Sequence, residues 1–182
     1  MQELDRKIIE KAAKGDIDCF EEIFKTYSSL VYHVAFRVSG SHEDAGDITQ
    51  NVFLLLHRKL ASFRFQSKFT TWVYRIASNQ ALNHVKSRAG KKYISYDEAF
   101  AGEVSLSAVN IRESLENNEA IDKLLSYLTP EQRICIILRT VQGLSYAEIA
   151  EAVGVDIDVV RSRLRRAREK LVDFKSEVKY GL

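Results

Sequence analysis

Apolar residues recur along this chain at steps of three and four, the spacing that lines one face of a helix. Phe20, Ile23, Phe24, Tyr27, Leu30, Val31, Val34 and Val38 form one such stripe after a break at Gly15-Asp16, and a shorter amphipathic helix precedes the break. A second stripe of Ile48, Val52, Leu55 and Leu56 belongs to a helix that Ser41 is placed to cap. Glu43 and Asp44 there lie near the positive end of its dipole. Asp44, Asp47, Gln50 and Asn51 read as lying outside that stripe, as a polar, acidic surface for a partner or an ordinary solvated face. A third long helix begins near Thr70. On it Trp72, Arg75, Asn79, Asn83 and Lys86 share a narrow arc, while Val73, Ile76, Ala77 and Ala81 face elsewhere.

The helical period fails from about Ala89 to Glu113, where glycines, serines and acidic residues predict a flexible linker, and it resumes at Ser114. Thr129-Pro130-Glu131-Gln132 then marks a helix start, with a capping threonine, proline at the first helical position and a glutamine able to reach back. Ser145-Tyr146-Ala147-Glu148 is a second capping box, opening a short helix that ends at Gly154, and another helix follows from about Asp156. Two helices joined by a short glycine turn make a helix-turn-helix. The pattern therefore predicts an all-α chain of two small helical domains, residues 1–90 and 114–182, joined by a linker over 91–113.

Charge adds a second layer to this picture. Residues 48–96 contain nine Lys or Arg and no Asp or Glu, whereas 1–47 carry a net −4, 97–131 a net −6 and 132–182 a net +3. Two basic blocks separated by an acidic one fit two nucleic-acid contacts, because such patches concentrate phosphates and release counterions. A solvated basic face explains either block taken singly. The first block also holds the single Trp and the loop Phe63-Arg64-Phe65-Gln66-Ser67-Lys68-Phe69. Aromatic rings beside Arg, Lys and Asn suit stacking on unpaired bases, and closing a small core is the competing reading of Phe63, Phe69 and Trp72.

In the second block Val160, Leu164, Ala167 and Leu171 form an apolar line that leaves Arg161, Ser162, Arg165 and Arg166 on the exposed side of the recognition helix. Arg163, Arg168 and Lys170 flank that line or lie farther from the helix start, which suits phosphate contacts. A solvated bundle helix or a surface for acidic proteins would show the same residues.

Other classes find less support. No uncharged apolar run approaches the roughly 20 residues that span a bilayer, and no signal-peptide pattern opens the chain, so a cytoplasmic protein without membrane insertion is expected. Cys19 and Cys135 lie far apart within helical patterns and read as reduced thiols. His33, His42, His57 and His84 are scattered, and no metal, cofactor or catalytic constellation is expected. A stand-alone helix-turn-helix repressor or activator stays open, although it gives no reason for the aromatic basic loop.

Four segments together resemble the extracytoplasmic-function sigma factors, the small two-domain specificity subunits of bacterial RNA polymerase. They are Asp47-Ile48-Thr49-Gln50-Asn51-Val52-Phe53, then Phe63 to Asn79, then Leu128-Thr129-Pro130-Glu131-Gln132-Arg133, and Gly143 to Ala150 leading into Val160-Arg161-Ser162-Arg163-Leu164. The resemblance implies that Asp44, Asp47, Gln50 and Asn51 face the clamp helices of the polymerase largest subunit, with Asn51 standing where relatives usually carry an acid. It implies that Phe63, Arg64, Phe65, Lys68, Phe69, Trp72, Arg75, Asn79 and Asn83 open and hold the −10 element. Arg161, Ser162, Arg165 and Arg166 would read the −35 duplex, where Asp156 and Asp158 are atypical of the family. Core polymerase, promoter DNA and an anti-sigma factor are the implied partners.

Overall fold

The computed structural model describes residues 3–93 and 121–180, the side chains at 89–93 and 174–180 excepted. Most of the stretch read as a linker, and the helix start expected at Ser114, lie outside the described residues. The described elements are helical: α1 (Arg6–Ala13), α2 (Ile17–Ser39), α3 (His42–Lys59), a 3-10 turn (Leu60–Ser62), α4 (Phe69–Tyr93), α5 over 121–126, α6 (Pro130–Thr140), α7 (Tyr146–Val153) and α8 (Ile157–Tyr180). Helix α4 thus runs to Tyr93, past the point where the apolar period fades near Ala89.

Side-chain caps set the helix starts. Asp16 accepts from the Cys19 N–H at 3.0 Å and Ser41 from the Asp44 N–H at 3.3 Å. Thr129 with Gln132, and Ser145 with Glu148, each form the reciprocal capping box, satisfying amide donors that the first helical turn leaves free. Between α7 and α8 the chain turns at Gly154 with φ at 67°, a left-handed backbone that favours glycine. A Cβ there would meet nothing within 4 Å, so the backbone angle, and not lack of room, requires glycine.

The first core packs Ile23, Tyr27, Val31 and Val34 of α2 against Ile48, Val52 and Leu56 of α3 and Val73, Ala77 and Ala81 of α4. The second packs Ile134, Ile137 and Leu138 of α6 against Ile149 and Ala152 of α7 and Val160, Leu164 and Ala167 of α8. These cores are continuous. Thr71, Tyr74, Ser78 and Leu82, spaced three or four apart on α4, are all buried on the side from which Tyr74 reaches Gln142 and Lys86 reaches Glu131. Helix α4 is therefore covered on two sides, by its own domain and by α6 and α7.

One arginine fastens the same seam at the other edge. The Arg133 guanidinium donates to the Val38 carbonyl at the end of α2 at 2.9 Å, to Leu125 O at 2.8 Å and to Leu128 O at 3.2 Å. A cation at those carbonyls also meets the negative end of the α2 dipole. Burial pushes the Tyr74 phenol up, which keeps it protonated as the donor to Gln142 Oε1.

Candidate nucleic-acid interface

The aromatic basic loop is short because the 3-10 turn ends at Ser62 and α4 begins at Phe69. Its rings form a cluster: Phe63 lies 4.8 Å from Phe65, 5.3 Å from Phe69 and 5.0 Å from Trp72, measured between centroids. Phe69 is 2% exposed and meets Tyr27 edge-on at 5.5 Å, so it anchors the loop in the core and offers no face to a base. That corrects its expected place among the stacking residues; it lies opposite the buried Tyr27 of α2. Phe63, Phe65 and Trp72 are half-buried, and Arg64, Lys68, Arg75 and Asn83 are exposed around them. Asn79 is half-buried. Lys86, on the same arc, turns aside to pair with Glu131 at 3.1 Å.

Phe65 adopts φ of 56°, the one positive value among described residues other than glycine. For an aromatic residue that conformation costs roughly 1–3 kcal/mol and persists only where its surroundings hold it.

On α3 the four polar residues separate. Asp47, Gln50 and Asn51 are exposed, but Asp44 is 8% exposed, with its carboxylate accepting from His84 Nε2 at 3.0 Å and from the Arg88 guanidinium of α4. Asp44 therefore does not belong to the outer face. The reason was present in the spacing, since Asp44 stands four residues before Ile48 and in line with Val52 and Leu56. Exchanging Asp44 for Asn is expected to lower stability by about 1 kcal/mol, discounted because Arg88 is largely exposed; an unchanged chemical denaturation midpoint would refute this tie.

Beside the exposed residues of α3 lies an apolar cleft of about 630 Å³ that sequence reading did not anticipate, walled by Phe20, Phe24, Phe53, Leu54 and His57. Phe24 is 45% exposed and Leu54 51%. The available signal was excess: Val52 to Leu56 is five apolar residues in a row, more than one helical face can bury.

On α8 the buried line of Val160, Leu164 and Ala167 fixes the helix against α6 and α7 and leaves Arg161, Arg165 and Arg166 exposed, with Ser162 half-buried. Arg161 pairs with Asp158 at 2.6 Å and Arg165 with Glu169 at 2.7 Å, both on their own helix. Exposed pairs of this kind are worth roughly 0.3–0.5 kcal/mol, so phosphates or base edges replace them readily. Asp156 caps α8, its carboxylate accepting from the Asp158 N–H at 2.9 Å. Lys170 is exposed, whereas Arg163 is half-buried and turned toward α6, where its charge works against the burial that raises the Cys135 thiol. Arg168 donates to Tyr146 Oη at 3.3 Å, which lowers that phenol, and the Arg139 guanidinium lies 5.3 Å from the Tyr146 ring centre. Arg139 and Tyr146 thus extend the basic surface onto α6 and α7, a juxtaposition no single-helix pattern reveals.

Comparison with known proteins matches both halves of this arrangement. Residues 23–90 fit the model of sigma-70 region 2 and residues 118–171 that of sigma-70 region 4. The chain is 33% identical to the ECF RNA polymerase sigma-E factor of Escherichia coli K12 across 92% of each chain. It is 31% identical to the RNA polymerase sigma-H factor of Pseudomonas aeruginosa across 93% of each. The chain belongs to the extracytoplasmic-function sigma factors. This sigma factor is also 28% identical to SigW of Bacillus subtilis, over 94% of its own length and 96% of the relative. Its all-helical fold is that of CnrH solved with the cytosolic domain of CnrY, with a TM-score of 0.70, 22% identity and coverage of 94% and 97% of the two chains. A sigma factor RpoE solved with the anti-sigma factor NepR from Bartonella quintana matches with a TM-score of 0.65, 24% identity and coverage of 86% and 96%. As a member of this family it directs promoter-specific transcription initiation with RNA polymerase. No described helix is long and apolar enough to cross a membrane.

Proposed function

We propose that the two basic surfaces divide promoter recognition between them, α8 reading the −35 duplex and the Phe63–Phe69 loop with Trp72 holding the opened −10 strand. The observation that carries this reading is the coexistence, in one chain, of an exposed arginine row on the second helix of a helix-turn-helix and a separate aromatic basic loop. A duplex reader needs only the first. Flipping a base from the stack costs a few kcal/mol, and stacking on Trp72 together with polar contacts from Arg75, Asn79 and Asn83 offsets it. Asp47, Gln50 and Asn51 meet the clamp helices of the polymerase largest subunit, and the neighbouring apolar cleft gives that contact its hydrophobic part. The chain works in the cytoplasm and has no catalytic activity of its own, chemistry being left to the polymerase. An anti-sigma factor is its expected antagonist, by analogy with the complex of a related fold with the anti-sigma factor NepR.

This division requires the seam between the domains to open. The −35 and −10 elements lie about 25 base pairs apart, roughly 85 Å at about 3.4 Å per pair, whereas α7 rests directly on α4. Both surfaces therefore cannot be engaged while Arg133, Tyr74 and Lys86 hold the seam. Arg133→Ala is expected to weaken the closed arrangement by about 1–2 kcal/mol. Energy transfer between labels at the exposed Ser87 and Glu151 should then fall in the free protein, as it falls in wild type on binding core polymerase; equal transfer in wild type and variant would show that Arg133 does not hold the seam.

The division itself is tested by promoter binding with and without core polymerase. A requirement for core, with protection of both elements, is the expected result, and tight binding of the isolated chain to duplex promoter would refute it.

A further inference from the structure

Helix α1 lies against the loop assigned to the −10 strand, and no part of the proposed function yet falls to it. The Arg6 guanidinium sits over the Phe65 ring, 4.3 Å from its centre, and its Nε donates to Glu10 Oε1 at 2.7 Å one turn along the helix. Glu10 thereby steers the cation onto the ring. At the far end of the loop Glu3 accepts from the Thr70 N–H at 3.4 Å, in the first turn of α4. The ring so covered belongs to the residue whose backbone is strained. Phe65 also lines two surface clefts of about 480 and 460 Å³, as does Ile9 of α1.

We propose that α1 braces the base-capture loop, with Arg6 as the positioning residue that holds Phe65 in its left-handed conformation and so fixes the loop against Trp72. The inference rests on the reading of this loop as the −10 strand site. A guanidinium over an aromatic face is attracted by the ring quadrupole, and its flat shape stacks where an ammonium acts only as a point charge. With Arg6 on one face and Phe63 4.8 Å away, Phe65 is not an open platform for a base. The pair formed by Arg6 and Phe65 then determines the shape of the space beside Trp72, whose half-buried indole packs against Phe63 and Phe69 and offers its remaining exposed surface to the base. Since the partners of Arg6 among the described residues are Glu10 of its own helix and Phe65 of the loop, its removal should change base capture and leave the other two contacts alone.

The test uses the full chain assembled with core polymerase and forked promoter DNA carrying 2-aminopurine in the −10 non-template strand, whose fluorescence rises when the base leaves the stack. Arg6→Ala is expected to raise the concentration needed for half-maximal signal about two- to fivefold, the worth of a cation over a ring at an exposed site. It should also flatten the preference among bases at that position, with partial recovery in Arg6→Lys and with core co-elution and −35 duplex competition unchanged. Unchanged capture and unchanged base preference would overturn the proposal. So would a loss of core binding and of the thermal midpoint in step with capture, because Arg6 would then support only the fold. A wild-type complex that gives no rise refutes the capture reading beneath it, a result distinct from a rise that is indifferent to Arg6.

Discussion

Trp72→Ala should reduce opening of the −10 region about 5- to 150-fold, the range that corresponds to roughly 1–3 kcal/mol of stacking on one base, while assembly with core polymerase stays near wild type. The separation of effects follows from position. Trp72 stands half-buried at the start of α4, 5.0 Å from Phe63 and 5.7 Å from the buried Phe69, with Arg75 and Asn83 exposed on the same arc. Asp47, Gln50 and Asn51 are on α3, outside this cluster. Part of the indole supports the loop, so Trp72→Phe serves as the control: a smaller ring retains the packing and a share of the stacking. Permanganate reactivity of the −10 thymines reports the open strand directly. Wild-type reactivity in Trp72→Ala would remove Trp72 from strand capture, and an equal loss of core binding would make it a structural residue.

Arg165→Ala should weaken discrimination at the −35 element by roughly 1–3 kcal/mol, the worth of one bidentate arginine contact to a base. Arg165 directly follows the buried Leu164 and is exposed, paired with Glu169 at 2.7 Å on its own helix. Its replacement therefore leaves the core of the helix-turn-helix intact. Competition between the cognate promoter and one altered at the −35 element separates readout from affinity: the variant should bind both with similar strength. Undiminished preference for the cognate sequence would shift readout to Arg161 or Arg166. Loss of affinity on both promoters with the preference intact would instead make Arg165 a phosphate contact.

What could be read from sequence divides along a physical line. Local signals were direct, because Ser41, Thr129 and Ser145 bond to amides only three residues away and the glycine turn at Gly154 depends on a single backbone angle. The arginine row of α8 was equally legible, since Val160, Leu164 and Ala167 define the buried side without ambiguity.

Contacts between elements were not. Thr71, Tyr74, Ser78 and Leu82 line a second buried side of α4, and an apolar period reports burial without saying what lies above it. Threonine, tyrosine and serine also weaken the period itself. Asp44 shares the spacing of Ile48, Val52 and Leu56, but it reads as surface by residue type, and the partners that satisfy its buried carboxylate, His84 and Arg88, come from a helix forty residues away. Phe69 reads as one of several loop aromatics until Tyr27 is placed beside it. Arg6 gives no sign at all in sequence of its position over Phe65.

One mixture tests most directly whether the chain acts as a sigma factor: the purified chain with bacterial core RNA polymerase, separated by size exclusion and then given genomic DNA fragments for run-off transcription. Co-elution with core and the appearance of new promoter-specific transcripts is the predicted result. Failure to bind core, together with tight binding to duplex DNA by the chain alone, would contradict it.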